Sequence, residues 1–161
     1  ATFSGTPPQD SNGELNLTVT ASDGALAASA SFALIVDPAN NAPEILNVVY
    51  AGEDFGQVLF TDPDIGDAHT ASVTGLAVIG DEGLLNGADA FDFLSLAPVN
   101  QLADTVYFEF GLSGEVSAEL ADGLSEGETL TFDYTITIAD LAGAESEAML
   151  TFSVNEDGFL F

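Results

Sequence analysis

The sequence predicts an all-β protein built from β-sandwich units, and three observations carry that prediction. Apolar and polar residues alternate at period two, the alternating runs are rich in Val, Ile, Thr and Phe, and one pair of runs recurs 117 residues further along the chain. Helix signals are scarce by comparison.

The first pair of runs opens with Leu15, Leu17 and Val19 on one face and Asn16, Thr18 and Thr20 on the other. After a turn at Ser22-Asp23-Gly24, the pattern resumes from Ala28 through Phe32, Leu34 and Val36, which reads as a β-hairpin. Leu130, Phe132, Tyr134, Ile136 and Ile138 repeat it, with a turn at Asp140-Leu141-Ala142-Gly143 and a return through Met149–Val154. Asp23 matches Asp140 at an offset of 117, and after one inserted turn residue Phe32, Leu34 and Val36 match Leu150, Phe152 and Val154 at 118. A repeat of that length is about one β-sandwich domain.

The repeat divides the chain. Residues 1–36 hold the final hairpin of a preceding unit. Residues 37–43, polar and carrying Pro38 and Pro43, form a stiff linker. Residues 44–154 make one complete domain, and residues 155–161 are a tail, read as the start of a next repeat, as an assembly strand or as a packed terminus. Two strands alone are rarely stable in water, so the first hairpin needs further strands, from its own unit or from a neighbouring molecule. Phe32, Phe60, Phe93, Phe108, Phe110, Phe132 and Phe152 lie in strand-like runs and are core candidates, with Phe159 and Phe161 as exceptions.

With 161 residues and 47% of them hydrophobic, the chain can build a full core and is not a disordered acidic tail. It holds 27 Asp and Glu, one His, and no Lys or Arg, a formal charge of −27. Self-repulsion on that scale opposes compaction unless salt, divalent cations or a basic partner offsets it. A polyanionic partner is excluded on the same ground, so the chain does not bind nucleic acid. Cysteine is absent, which removes disulfides and thiolate metal sites and makes bound calcium the natural staple. No run approaches the ~18 apolar residues of a membrane span. The first residues lack the basic and apolar regions of a signal peptide, so either the precursor begins earlier or export uses another signal. The absence of Lys and Arg leaves trypsin-like proteases nothing to cut, which suits exposure outside a cell and equally suits a salt-adapted proteome.

Three stretches resemble the cadherin-like repeats of large bacterial adhesins, including the repeat type named after Vibrio, Colwellia, Bradyrhizobium and Shewanella. They are Phe60-Thr61-Asp62-Pro63-Asp64-Ile65-Gly66-Asp67-Ala68-His69-Thr70, Leu124-Ser125-Glu126-Gly127-Glu128-Thr129-Leu130, and the closing strands through Val154. Residues 1–36 resemble the end of a cadherin-like unit of the dystroglycan type. The resemblance implies Greek-key sandwiches (cadherin/Ig-like) in tandem, on the bacterial cell surface or in secreted adhesins, often exported by type I secretion and often binding calcium between domains.

Calcium takes six to eight oxygen ligands. Asp62, Asp64 and Asp67 crowd into six residues with Pro63 and Gly66 to fold the backbone, so their carboxylates are spaced to converge on one ion. The spacing is not that of an EF-hand, because Gly66 and Val73 stand where ligands belong. The resemblance brings Asn40, Asn41, Glu53 and Asp54 towards the same region. Asp23 and Asp140 open equivalent turns, where they cap the turn or reach a junction ion. The alternative for all these aspartates is turn formation, with side chains bonded to local backbone. The lone His69 reads as a surface or strand-start residue rather than a zinc ligand. Asn16-Leu17-Thr18 is a chance-level glycosylation sequon.

No residue set nominates a nucleophile. A glycosidase-like carboxylate pair would lack the Trp and Arg that usually line a sugar cleft, so the chain is read as non-catalytic. Three functions remain: a structural or adhesive stalk repeat, a filament subunit assembled by strand addition from copies of itself, and a module binding a surface glycan or a protein target. For the last, residues 76–112 are the place to look.

Overall fold

The computed structural model describes residues 4–6, 11–37, 39–64 and 66–160. It divides into two compact units, residues 1–40 and residues 41–161. The boundary falls inside the predicted linker, and the last linker residues belong to the second unit. Pro43 is fully buried there, its carbonyl accepting a hydrogen bond from the Ser146 hydroxyl.

The first unit is a two-stranded antiparallel hairpin, β1 (Gly13–Ser22) with β2 (Ala27–Val36). Its register pairs Leu15 with Leu34, Leu17 with Phe32 and Val19 with Ala30 on one face. On the other face Thr18 bonds Ser31 at 2.8 Å and Thr20 bonds Ser29 at 2.7 Å.

The second unit is a sandwich of two four-stranded antiparallel sheets. One sheet has the order β3-β4-β7-β6, from β3 (Glu44–Tyr50), β4 (Phe55–Thr61), β6 (Leu94–Leu96) and β7 (Thr105–Phe110). The other has the order β10-β9-β8-β5, from β5 (His69–Ile79), β8 (Leu130–Asp140), β9 (Glu145–Asn155) and β10 (Gly158–Leu160). The all-β sandwich expected from the alternation is therefore what this unit builds. Residues 155–157 turn the chain so that β10 pairs back onto β9, extending that sheet from within the same unit.

The period-two pattern puts alternate side chains between the sheets. Val58, Phe60, Val106, Phe108 and Phe110 come from one side, and Leu130, Phe132, Tyr134, Ile136, Ile138, Leu150, Phe152 and Val154 from the other; all are buried. Phe110 stacks on Phe152 with ring centroids 4.4 Å apart, and Phe93 meets Phe132 edge to face at 5.8 Å. Of the Phe core candidates, only Phe32 lies outside this layer, 48% exposed on the hairpin. Phe161 lies outside the described residues. Gly56 sits in β4 where a Cβ would fall 2.5 Å from the Phe108 ring and 2.3 Å from the Val49 carbonyl, so the close approach of β3 to β4 needs a residue without a side chain.

One element was not expected from the sequence, a helix α1 (Gly114–Gly123) that carries the chain from β7 to β8. Ser113 caps it by accepting from the Val116 N–H, and Val116, Leu120 and Leu124 bury one stripe at a spacing of four. Two short 3₁₀ turns, Glu82–Leu85 and Ala90–Phe93, are capped in the same way by Asp81 and Asp89.

Candidate functional site

The acidic stretch after β4 folds as a turn held by its own carboxylates. Asp62 accepts the Asp64 N–H on Oδ1 at 2.8 Å, while its Oδ2 lies 2.9 Å from Nε2 of His69. Both partners of that pair are 3% exposed at the side chain. Asp64 turns the other way and accepts both the backbone N–H and the side-chain amide of Asn41. Asp67 donates its N–H to the Asp64 carbonyl at 3.3 Å, closing the loop before β5.

His69 is the first residue of β5, as expected, but it is buried rather than on the surface. Its ring packs edge to face on Phe60 with centroids 4.9 Å apart, and its backbone is clamped on both sides by the Gln101 side chain. The strand register sets it directly opposite Asp140 on β8, which is also buried. Nδ1 of His69 has no hydrogen-bond partner.

Of the residues singled out from the sequence, Asn41, Asp62, Asp64 and Asp140 thus share one end of the second unit. Asp67 lies in the same loop. Glu53 and Asp54 do not share that end: they precede Phe55 while Asp62 follows Thr61, and β4 runs between them, about 20 Å at ~3.3 Å per residue. The Asp54 carbonyl instead accepts the Phe110 N–H at 2.6 Å. Asn40 is exposed and ends the first unit.

Asp23 and Asp140 hold equivalent turns in the same manner. Asp23 Oδ1 accepts from Ala25 and Leu26, and Asp140 Oδ1 accepts from Gly143 and Ala144. The N–H groups of Leu26 and then Ala25 hold the exposed Asp23 carboxyl below its ordinary range.

A calcium ion would need several of these oxygens to turn towards one point. Among the described residues, no three or more His, Cys, Asp or Glu side chains are grouped to hold a metal. Both Asp62 oxygens and the Asp64 carboxylate are engaged in hydrogen bonds within the protein, but only Asp62 Oδ1 bonds local backbone, while Asp62 Oδ2 meets the His69 ring and Asp64 meets Asn41. The pairing of His69 with Asp62 was not foreseen. Their spacing of seven across a tight turn into a strand is the signal that would have suggested it.

The outward face of the β4–β7 pair carries Phe55, Gln57, Tyr107 and Glu109 as neighbours in register. Phe55 and Tyr107 are about half exposed and line a shallow groove with Leu96 and Ala97. Tyr107 and this groove's β6 wall fall within residues 76–112.

Neither a protein-family model nor a curated protein sequence matches the chain. No described helix is long and apolar enough to cross a membrane.

Proposed function

We propose that the chain is a non-catalytic structural and adhesion repeat of a larger bacterial surface protein, extracellular and stiffened by calcium. The observation that carries the reading is the gathering of Asn41, Asp62, Asp64 and Asp140 at the end where the chain enters the second unit, in a sequence with no Lys or Arg to offset them. Acidic groups collected at one end of a sandwich are the chemistry that a cation between successive repeats requires. With Asp62 engaged by His69, such an ion would draw on Asp67, and on Asp64 in exchange for its hydrogen bonds to Asn41, supplemented by amide and backbone carbonyls and water. The ion would supply positive charge and oxygen-bridging there.

The stalk reading expects monomers. Size-exclusion chromatography with light scattering on the purified chain tests this, and long ordered polymers would favour the filament reading, in which strand addition joins copies. A third reading, a module for a glycan or protein target, draws on the exposed Phe55 and Tyr107 beside Gln57 and Glu109. Exposed rings flanked by amide and carboxylate groups suit a sugar face. Glycan arrays probed with the wild-type chain and Tyr107→Ala decide it, and uniform silence retires the idea.

A further inference from the structure

The first unit presents an apolar sheet face that stays largely exposed among the described residues, although Ser4, Gly5 and Thr6 line a hollow against Leu15, Leu17 and Leu34 at one end of it. Leu15 is 53% exposed, Val19 59% and Phe32 48%, all on one side of the hairpin. Among the described residues neither β1 nor β2 pairs with a third strand. Two strands with one bare apolar face are marginal in water, so this surface is built to be covered.

The second unit holds the same hairpin with its cover in place. Leu15↔Leu34, Leu17↔Phe32 and Val19↔Ala30 correspond in register to Phe132↔Phe152, Tyr134↔Leu150 and Ile136↔Ala148, and Gly13↔Val36 to Leu130↔Val154. The turns correspond as well, each held by one aspartate Oδ1 accepting two backbone N–H groups. There the apolar face of β8–β9 is buried beneath the β3-β4-β7-β6 sheet, and the outer edge of β8 pairs with β5 from His69 to Ile79.

We infer that the β1–β2 hairpin is a docking surface for a strand set of the β3–β7 type, a four-stranded sheet covering its apolar face and a β5-type strand paired along the open edge of β1. In the second unit the covering strands β3–β7 come before the β8–β9 hairpin in chain order. The side chains at matching positions give the complementary shape. Leu15, Leu17 and Val19 stand where the second unit has the larger Phe132, Tyr134 and Ile136, so the covering sheet is bulkier over β1 than the one over β8. This inference rests on the register correspondence and is independent of the calcium and cell-surface readings.

The test compares hydrogen exchange in the 161-residue chain with that in a lengthened chain carrying a second copy of residues 41–129 immediately before residue 12. In the 161-residue chain, as a monomer, β1–β2 amides are expected to exchange about 100-fold faster than those of β8–β9. In the lengthened chain they slow by about the same factor, and Leu17→Asp abolishes the gain. Because the copied sheet is shaped for Phe132 and Tyr134, a second lengthened chain carries Leu15→Phe and Leu17→Tyr to fill the space. Protection in both lengthened chains, or in the filled one alone, supports the docking. Failure of both overturns it, as does a 161-residue chain whose hairpin is already protected, whether as a monomer or as a dimer covering the face with a second copy.

Discussion

At the scale of single residues, the second unit depends on a few buried polar groups held by specific partners. Tyr134 is the clearest: its ring is fully buried and its hydroxyl donates to the Ala90 carbonyl, fixing a 3₁₀ turn against the core. Removing that hydroxyl in Tyr134→Phe leaves the carbonyl unpaired, and urea unfolding is expected to show a loss of about 1–3 kcal/mol. Burial raises the Tyr134 phenol well above its ordinary 10, and burial also raises Tyr50. A folded-state value above the unfolded one means that the folded protein holds its proton longer. The stability tied to these tyrosines is therefore intact below about pH 10 and falls as pH rises beyond the unfolded value. Unfolding midpoints measured at pH 8 and pH 11 should show this loss, and Tyr134→Phe should reduce it. His69 and Asp62 form the second such pair, and Asp62→Ala is expected to cost about 2 kcal/mol by stranding a buried ring nitrogen.

At the scale of elements, the four strands of the two hairpins were legible in the sequence, whereas the bounds of β3–β7, the 3₁₀ turn that holds Phe93 and the helix were not. Alternation is a direct consequence of a sheet with one face buried, so Leu130–Ile138 and Leu15–Val19 announced both strand and register face. The helix α1 is short, begins and ends on glycine, and lies between strands, so its capping serine and the Val116, Leu120, Leu124 spacing were a weak signal. Its contribution is packing: Leu120→Ala empties a buried site and is expected to cost about 2–5 kcal/mol by thermal or urea unfolding. A Cβ at Gly56 collides with the Phe108 ring and the β3 backbone, so Gly56→Ala should destabilise the unit by about 1–3 kcal/mol. The candidate site was legible only in part. Turn-forming aspartates are visible in sequence by their Pro and Gly neighbours, but which end of a strand each occupies depends on strand length and direction. Glu53 and Asp54 illustrate the point, since the seven residues of β4 carry them to the far end from Asp62.

At the scale of the whole molecule, charge is the dominant fact. A formal −27 with no Lys or Arg leaves His69 as the one basic side chain in the sequence, so the bulk of the charge is offset by solvent and ions. Stability should therefore rise with sodium chloride over the range where the screening length shrinks from ~30 Å to ~8 Å, and differential scanning fluorimetry at increasing salt reads that rise. General screening and a specific ion differ in dose and in selectivity. A cation that binds only the folded state adds stability by mass action at concentrations near its dissociation constant, far below those at which screening changes. The measurement that tests the proposed function most directly is the melting temperature of the chain in EDTA, then with calcium, and then with magnesium and sodium chloride at matched ionic strength. The calcium-stiffened reading predicts a rise with calcium at sub-millimolar concentration that the other salts do not reproduce. An equal rise with magnesium or sodium would contradict it, leaving the aspartates as turn formers on a salt-tolerant β-sandwich.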